Sequence, residues 1–241
     1  MVFGGTVVYI DPYLSNHVAQ IEGEGMERMF QVPFAPDSIV DADWVFISHD
    51  HIDHCDPLTI KPLSSASPKC GFVCTPRVAE KLLEWGVTES RIILAMEGEW
   101  ITLSSMLRVT TVPAAHPEIC RDGNAFARCV GFIIEYKGRC LYHAGDTAIT
   151  DEFLSILKRF MPIDVAFLPV NEQNYFRERR GIIGNMTIRE AFGLAEEIGA
   201  RIVVPTHWDM FASNQVYREE IELLYKLINP KFKLSIYPQT L

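Results

Sequence analysis

The chain has 241 residues, enough for one large domain or two small ones with a sizeable core. Hydrophobic residues make up 48% and charged residues 22%, an ordinary balance for a soluble globular protein. A net charge of -9 excludes broad binding to nucleic-acid polymers or anionic membranes, since both need a basic surface.

The N-terminal "MVFGGTVVYIDPYLS" carries no basic region ahead of a long apolar one, so no signal peptide is expected. No apolar run is long enough to span a bilayer, and a cytoplasmic protein is the default expectation. Short β-branched and aromatic runs at 6–10, 44–48 and 71–74 predict strands. A helix follows over 76–86, with proline at its start, Val78, Leu82, Leu83 and Trp85 on one side, and Gly86 at its end. Strands are predicted again at 100–103, 107–112, 131–136 and 139–143, with Lys137-Gly138 as a hairpin turn between the last two. From there helices and strands alternate: helix 150–160 behind a threonine cap, strand 164–170, helix 187–199, strand 201–207 and helix 214–228. Thr187 and Glu190 have the spacing of a capping box. No repeat and no linker interrupts this order. The expectation is one α/β domain over 1–241, with two sheets covered by helices.

The stretch "SHDHIDHCDP" (48–57) packs three histidines and two aspartates between His49 and His54, directly after an apolar strand. Uncompensated polar groups are costly there. Residues two apart in an extended segment point the same way, so His49 and His51 project together. A turn after Ile52 lets Asp53 and His54 face a second point nearby. Two adjacent donor clusters are what a two-metal site requires, and a metal compensates the buried groups. The cluster alone is too small for two ions. His116, Asp146 and His207 each follow an apolar strand, as His49 does, and side chains at the ends of neighbouring strands can converge.

H-x-H-x-D-H at 49–54, His116, Asp146 in "HAGDT" and His207 in "PTHWD", with Asp11 in "YIDPYLS", resemble the metallo-β-lactamase superfamily of metal-dependent hydrolases. The resemblance runs from Thr6 to about Trp208. It implies a four-layer αββα sandwich with the site at one edge of its two sheets. It further implies that His49, His51 and His116 hold one metal, that Asp53, His54 and His207 hold the other, and that Asp146 bridges them. Asp11 would orient the 49–54 loop. Within the superfamily, "GGTVVYIDPYLS", "SHDHIDHCDPLT", "YHAGDT", "GNMT" and "VVPTHWDMF" resemble the L-ascorbate-6-phosphate lactonase-like group. Two departures stand out. Met1 lies only five residues before Thr6, so the family's first edge strand is expected to be largely lacking, and the C-terminus is shorter than in the bacterial lactonase.

Each residue also has a plainer reading. A lone histidine after a strand is usually a satisfied core histidine, and Asp146 could cap the helix that follows. Their order behind the main motif favours ligation. His143 is expected to pack or support the site, His17 to face solvent, Asp50 to lie behind the ligands, and Cys55 to pack. The six cysteines match no zinc ribbon or C-x-x-C pair and are expected to be reduced. Tyr175, Arg177, Arg179 and Arg180 form a local basic segment that could hold a phosphate, against the plainer reading of a solvated loop.

The donor set, imidazole and carboxylate without thiolate, suits Zn²⁺, Mn²⁺ or Fe²⁺. The resemblance tilts this towards Mn²⁺ or Zn²⁺. The expected reaction is metal-assisted hydrolysis of a small molecule, with Asp53 also serving as the catalytic proton carrier. By resemblance the substrate is a lactone, such as a phosphorylated sugar lactone. The alternatives are a phosphodiesterase of the same superfamily and a metal-binding protein without activity. A homo-oligomer is compatible with the sequence.

Overall fold

In a computed structural model, which describes residues 1–237, the first sheet comprises β1 (Val2–Phe3), β2 (Thr6–Ile10), β3 (Trp44–Ile47), β4 (Gly71–Cys74) and β5 (Ile92–Leu94), in that spatial order. β1 is antiparallel to β2, and β2 to β5 run parallel. The second sheet contains β6 (Ile101–Thr102), β7 (Leu107–Pro113), β8 (Val130–Tyr136), β9 (Arg139–His143), β10 (Val165–Pro169), β11 (Ile202–Thr206) and β12 (Lys233–Leu234), again neighbour to neighbour. Its β6 to β9 portion is antiparallel and its β9 to β12 portion parallel. The helices are α1 (His17–Glu22), α2 (Pro57–Ala66), α3 (Pro76–Glu84), α4 (Asp151–Leu157), α5 (Tyr175–Glu178), α6 (Ile188–Glu197) and α7 (Arg218–Ile228).

Alternation along the strands builds the layers. In β3, Val45 and Ile47 pack outward with Ile60 and Leu63 of α2 and Val78 and Leu82 of α3. Phe46 points the other way, to meet Phe132 of β8 between the sheets, with ring centroids 5.1 Å apart. In β8, Phe132 and Ile134 face that inner core, whereas Ile133 faces Phe153 of α4 and Phe192 of α6. This two-residue period places helices on both outer faces, the αββα sandwich. Truncating a fully buried ring such as Phe132 costs about 3–5 kcal/mol, so the inner core is a firm platform for the edge where the site lies.

Local rules explain the element ends. Thr187 and Glu190 close the capping box on α6, and the Thr150 hydroxyl accepts from Phe153 N–H at the start of α4. Lys137 and Gly138 both have positive φ, as a tight two-residue hairpin requires. The strand expected at 100–103 shrinks to Ile101–Thr102, and the first sheet ends on the two-residue β1. Helix α2 escapes the sequence pattern because Pro57 and Pro62 suggest a breaker. Pro57 occupies the first turn, where no N–H is needed, and Asp56 caps it by accepting from Leu58 N–H at 3.0 Å. No helix among the described residues is long and apolar enough to cross a membrane.

Candidate metal centre

The C-terminal ends of β2, β3, β7, β9 and β11 emerge at one edge of the sandwich. They deliver, respectively, Asp11, the 48–54 loop, His116, Asp146 and His207. The closing of this edge rests on Asp11. It sits at φ 44 directly after β2, and its carboxylate accepts from Ser48 N–H at 2.7 Å and from the Ser48 hydroxyl at 2.6 Å. The His54 Nδ1–H donates to the same carboxylate at 2.9 Å. Ser48 gives its proton to Asp11, so its oxygen accepts from His49 Nδ1–H at 2.9 Å. Both rings are thereby fixed with the Nε2 lone pair facing inward. Gly145 permits the approach of the Asp146 turn. Its φ is +60, and a Cβ there would meet Ser48 Cβ at 2.8 Å.

The structure brings all seven expected ligands together. His49, His51 and His116 form one set, and Asp53, His54 and His207 a second, each with donor atoms within 4.8 Å of one another. Asp146 lies between them. Its Oδ1 is 3.4 Å from His54 Nε2, and its Oδ2 is 3.3 Å from His207 Nε2 and 3.6 Å from His116 Nε2. His207 Nε2 is also 3.2 Å from Asp53 Oδ2. Ligands ~2.1 Å from a tetrahedral cation stand about 3.4 Å apart, so these spacings fit a cation between the donors. Several of the atoms make little sense without one. His49 Nε2, His54 Nε2 and Asp146 Oδ1 are buried and have no hydrogen-bond partner in the protein. A pair of divalent ions is the group this donor set fits.

Charge is divided unevenly across the site. Burial pushes His49 well below the ordinary histidine range, lowers His51, and takes His116 to about 4. That half offers neutral imidazoles. In the other half, burial opposes charge, but Asp146 and Asp53 outweigh it and hold His54 well above its usual value and His207 raised. Burial likewise acts to raise Asp53 and Asp146, yet the neighbouring His54 and His207 keep both carboxyls below the ordinary range. Protons on His54 and His207 thus play the cation's part in the ion-free chain. Metal uptake must displace them. Apparent affinity should therefore rise with pH through neutrality and level off only above the raised value of His54. Calorimetry in buffers of different ionisation enthalpy should show proton release at pH 6.5; affinity independent of pH between 6 and 9 would contradict this. Replacing Asp11 with alanine leaves both rings free to turn. It should weaken metal binding about 10–100-fold, measurable by competition with a chromophoric chelator.

Other expectations are revised. Arg177 cannot serve as a phosphate receptor, because its guanidinium already donates to the carbonyls of Asn171, Glu172 and Gln215 at 2.8–2.9 Å. Arg179 donates to the Tyr175 hydroxyl and lies over its ring, and Tyr175, Arg179 and Arg180 are exposed. None of the four lines the cavity beside the centre, so the phosphate-holding role expected for this segment is withdrawn. His17 is not solvent-facing: it begins α1 and its Nδ1 lies 2.9 Å from buried Asp56. Cys55 is buried, and burial pushes its thiol up to about 12, which suits packing rather than ligation. Sequence reasoning did not find the cavity wall formed by Ile10, Tyr13, Thr206, Asp209, Met210 and Phe211. Its one signal was the "WDMF" that follows His207.

Comparison with known proteins agrees with this geometry. Residues 6–208 match a family model described as the β-lactamase superfamily domain. A probable L-ascorbate-6-phosphate lactonase from Shigella boydii is 24% identical over 266 residues, covering 98% of this chain and 73% of the relative. A metal-dependent hydrolase from Pyrobaculum aerophilum is 29% identical over 211 residues, covering 86% of this chain and 79% of the relative. Among solved structures, an isothiocyanate hydrolase from Delia radicum gut bacteria superposes with a TM-score of 0.75 at 16% identity, covering 100% of this chain and 93% of the other. A metallo hydrolase from Ignicoccus hospitalis gives 0.67 at 21% identity, covering 96% and 87% respectively. At these identities the two structures speak for the fold alone.

Proposed function

Because the chain belongs to the metallo-β-lactamase superfamily and is a metal-dependent hydrolase, we propose that its reaction is the opening of a lactone at the centre built from His49, His51, Asp53, His54, His116, Asp146 and His207. The observation that carries this reading is Asp146, one carboxylate set between two complete histidine-bearing donor clusters. The lactone itself is supported by the likeness to probable L-ascorbate-6-phosphate lactonases along 98% of the chain. Manganese(II) and zinc(II) both suit the donors, and iron(II) is chemically admissible.

Two divalent cations held by these residues supply Lewis acidity, which makes hydroxide available near neutral pH and polarises a carbonyl oxygen. The side chains do the rest. His49 and His54 present Nε2 because Ser48 and Asp11 hold their Nδ1 protons. The Asp146 side chain, 5% exposed, is shut away from substrate, whereas that of Asp53 is 22% exposed. Asp53 is therefore the carboxylate that can take a proton from the attacking water and return it to the leaving alkoxide. The Asp11 bonds keep these groups from drifting, and small displacements of reacting groups are costly in rate.

The test uses the full chain, stripped with a chelator and reloaded with Mn²⁺ or Zn²⁺. It is assayed against a lactone panel and against bis(p-nitrophenyl) phosphate. Metal-dependent lactone opening is the expected result. Turnover of the phosphodiester with none of the lactones would move the assignment to the phosphodiesterase alternative. Full metal loading with no turnover of either would identify a metal-binding protein without activity.

A further inference from the structure

A cavity of about 180 Å³ opens beside the candidate centre, and Asp53, His54, Asp146 and His207 form one of its walls. Whatever reacts at the centre must extend into this space. The remaining walls include His143, Ile10, Tyr13, Asp209, Met210 and Phe211. Among the described residues no lysine or arginine lines it. A phosphate placed here would meet the Asp209 carboxylate and find no cation to pair with it.

His143 is the titratable group the reaction scheme leaves unused. Its Nδ1 accepts a hydrogen bond from Gly145 N–H at 3.2 Å, which places the ring proton on Nε2. The ring stacks on Phe167 at 5.7 Å with an interplanar angle of 26°, so its orientation is set from two sides. Nε2 has no protein partner among the described residues, and it is not one of the sealed-off polar atoms. A fixed donor with an open position, in the wall of a cavity that lacks cations, is suited to one job.

We propose that His143 Nε2–H donates a hydrogen bond to an uncharged carbonyl or hydroxyl oxygen of the substrate, and that the cavity selects uncharged lactones over their phosphate esters. This rests on the lactone reading above and narrows its substrate class. Ile10, Met210 and Phe211 would cover the apolar part of such a molecule, and the free oxygen of Asp209 could accept from a hydroxyl, since its Oδ2 already accepts from Tyr237.

The experiment measures binding rather than turnover. The metal-loaded full chain is titrated calorimetrically with D-glucono-δ-lactam, an unreactive analogue of a hydroxylated lactone, and with its 6-phosphate. In parallel the His143 ring is followed by long-range ¹H–¹⁵N NMR. The uncharged lactam should bind at least about tenfold more tightly than its phosphate, and the Nε2–H resonance should shift on binding. His143→Phe keeps a ring against Phe167 but removes the donor, and should weaken lactam binding by up to about tenfold. His143→Gln, which restores an N–H near the same point, should recover most of that loss. Metal content and thermal midpoint are compared for both variants, and if His143→Phe loses its metal, His143→Gln and the NMR shift decide.

Tighter binding of the phosphate, no binding of either lactam, or an unmoved His143 resonance with His143→Phe unchanged would each overturn the inference. Lactam binding that depends on His143 in a protein that opens no lactone would keep this inference and remove the lactone reading. Lactone opening that is indifferent to His143 would do the reverse.

Discussion

Asp146→Asn is expected to lower kcat/KM for hydrolysis by about a thousandfold or more and to reduce the bound metal from two ions per chain towards one. The magnitude follows from Asp146's position. Its two oxygens face His54 on one side and His207 and His116 on the other, so one side chain serves both donor sets. An amide keeps the shape but brings no negative charge and only one lone-pair-bearing oxygen. Losing the transition-state stabilisation from one cation costs several kcal/mol, which is about three powers of ten in rate. The substitution also leaves buried His54 and His207 beside a neutral group, so their raised values should fall. Elemental analysis alongside kinetics checks both parts. A variant with two ions and near-normal kcat/KM would show that Asp146 only caps the turn into α4.

Asp53→Asn should act differently. Asparagine can still offer an oxygen to the second donor set, so some metal should remain. It cannot accept a proton, so kcat should drop about 10²–10⁴-fold, the usual worth of a positioned acid–base group. KM should change far less, because the lost interaction belongs to the transition state. The Asp53 side chain, at 22% exposed, is the carboxylate of this pair that water and substrate can reach. If kcat fell only in proportion to lost metal, Asp53 would be a ligand and nothing more.

Much of this arrangement was legible in the sequence, for physical reasons that can be named. The strand Trp44–Ile47 alternates its buried faces, so the His49–His54 cluster had to emerge at a sheet edge. Thr187 and Glu190 announce α6 because a capping box is a local chemical bond pattern. The convergence of His116, Asp146 and His207 depends on strand order, which local periodicity does not encode. It came from motif resemblance, and the second sheet's β7, β9 and β11 realise it. What stayed hidden was tertiary. Arg177 reads as a free cation in sequence, yet three carbonyls from Asn171, Glu172 and Gln215 occupy it. His17 reads as a loop residue, yet Asp56 lies 39 positions away and 2.9 Å from it. Long side chains choose partners by proximity in space, and proximity is the last thing a linear pattern discloses.

The most direct test of the central claim is the metal content and position in the purified full chain, by elemental analysis and anomalous diffraction. Two divalent ions per chain, ~3.5–4 Å apart, with His49, His51 and His116 around one, Asp53, His54 and His207 around the other and Asp146 touching both, is the predicted result. A centre that stays empty in excess Mn²⁺ and Zn²⁺, or ions bound elsewhere while these seven side chains remain unligated, would contradict it.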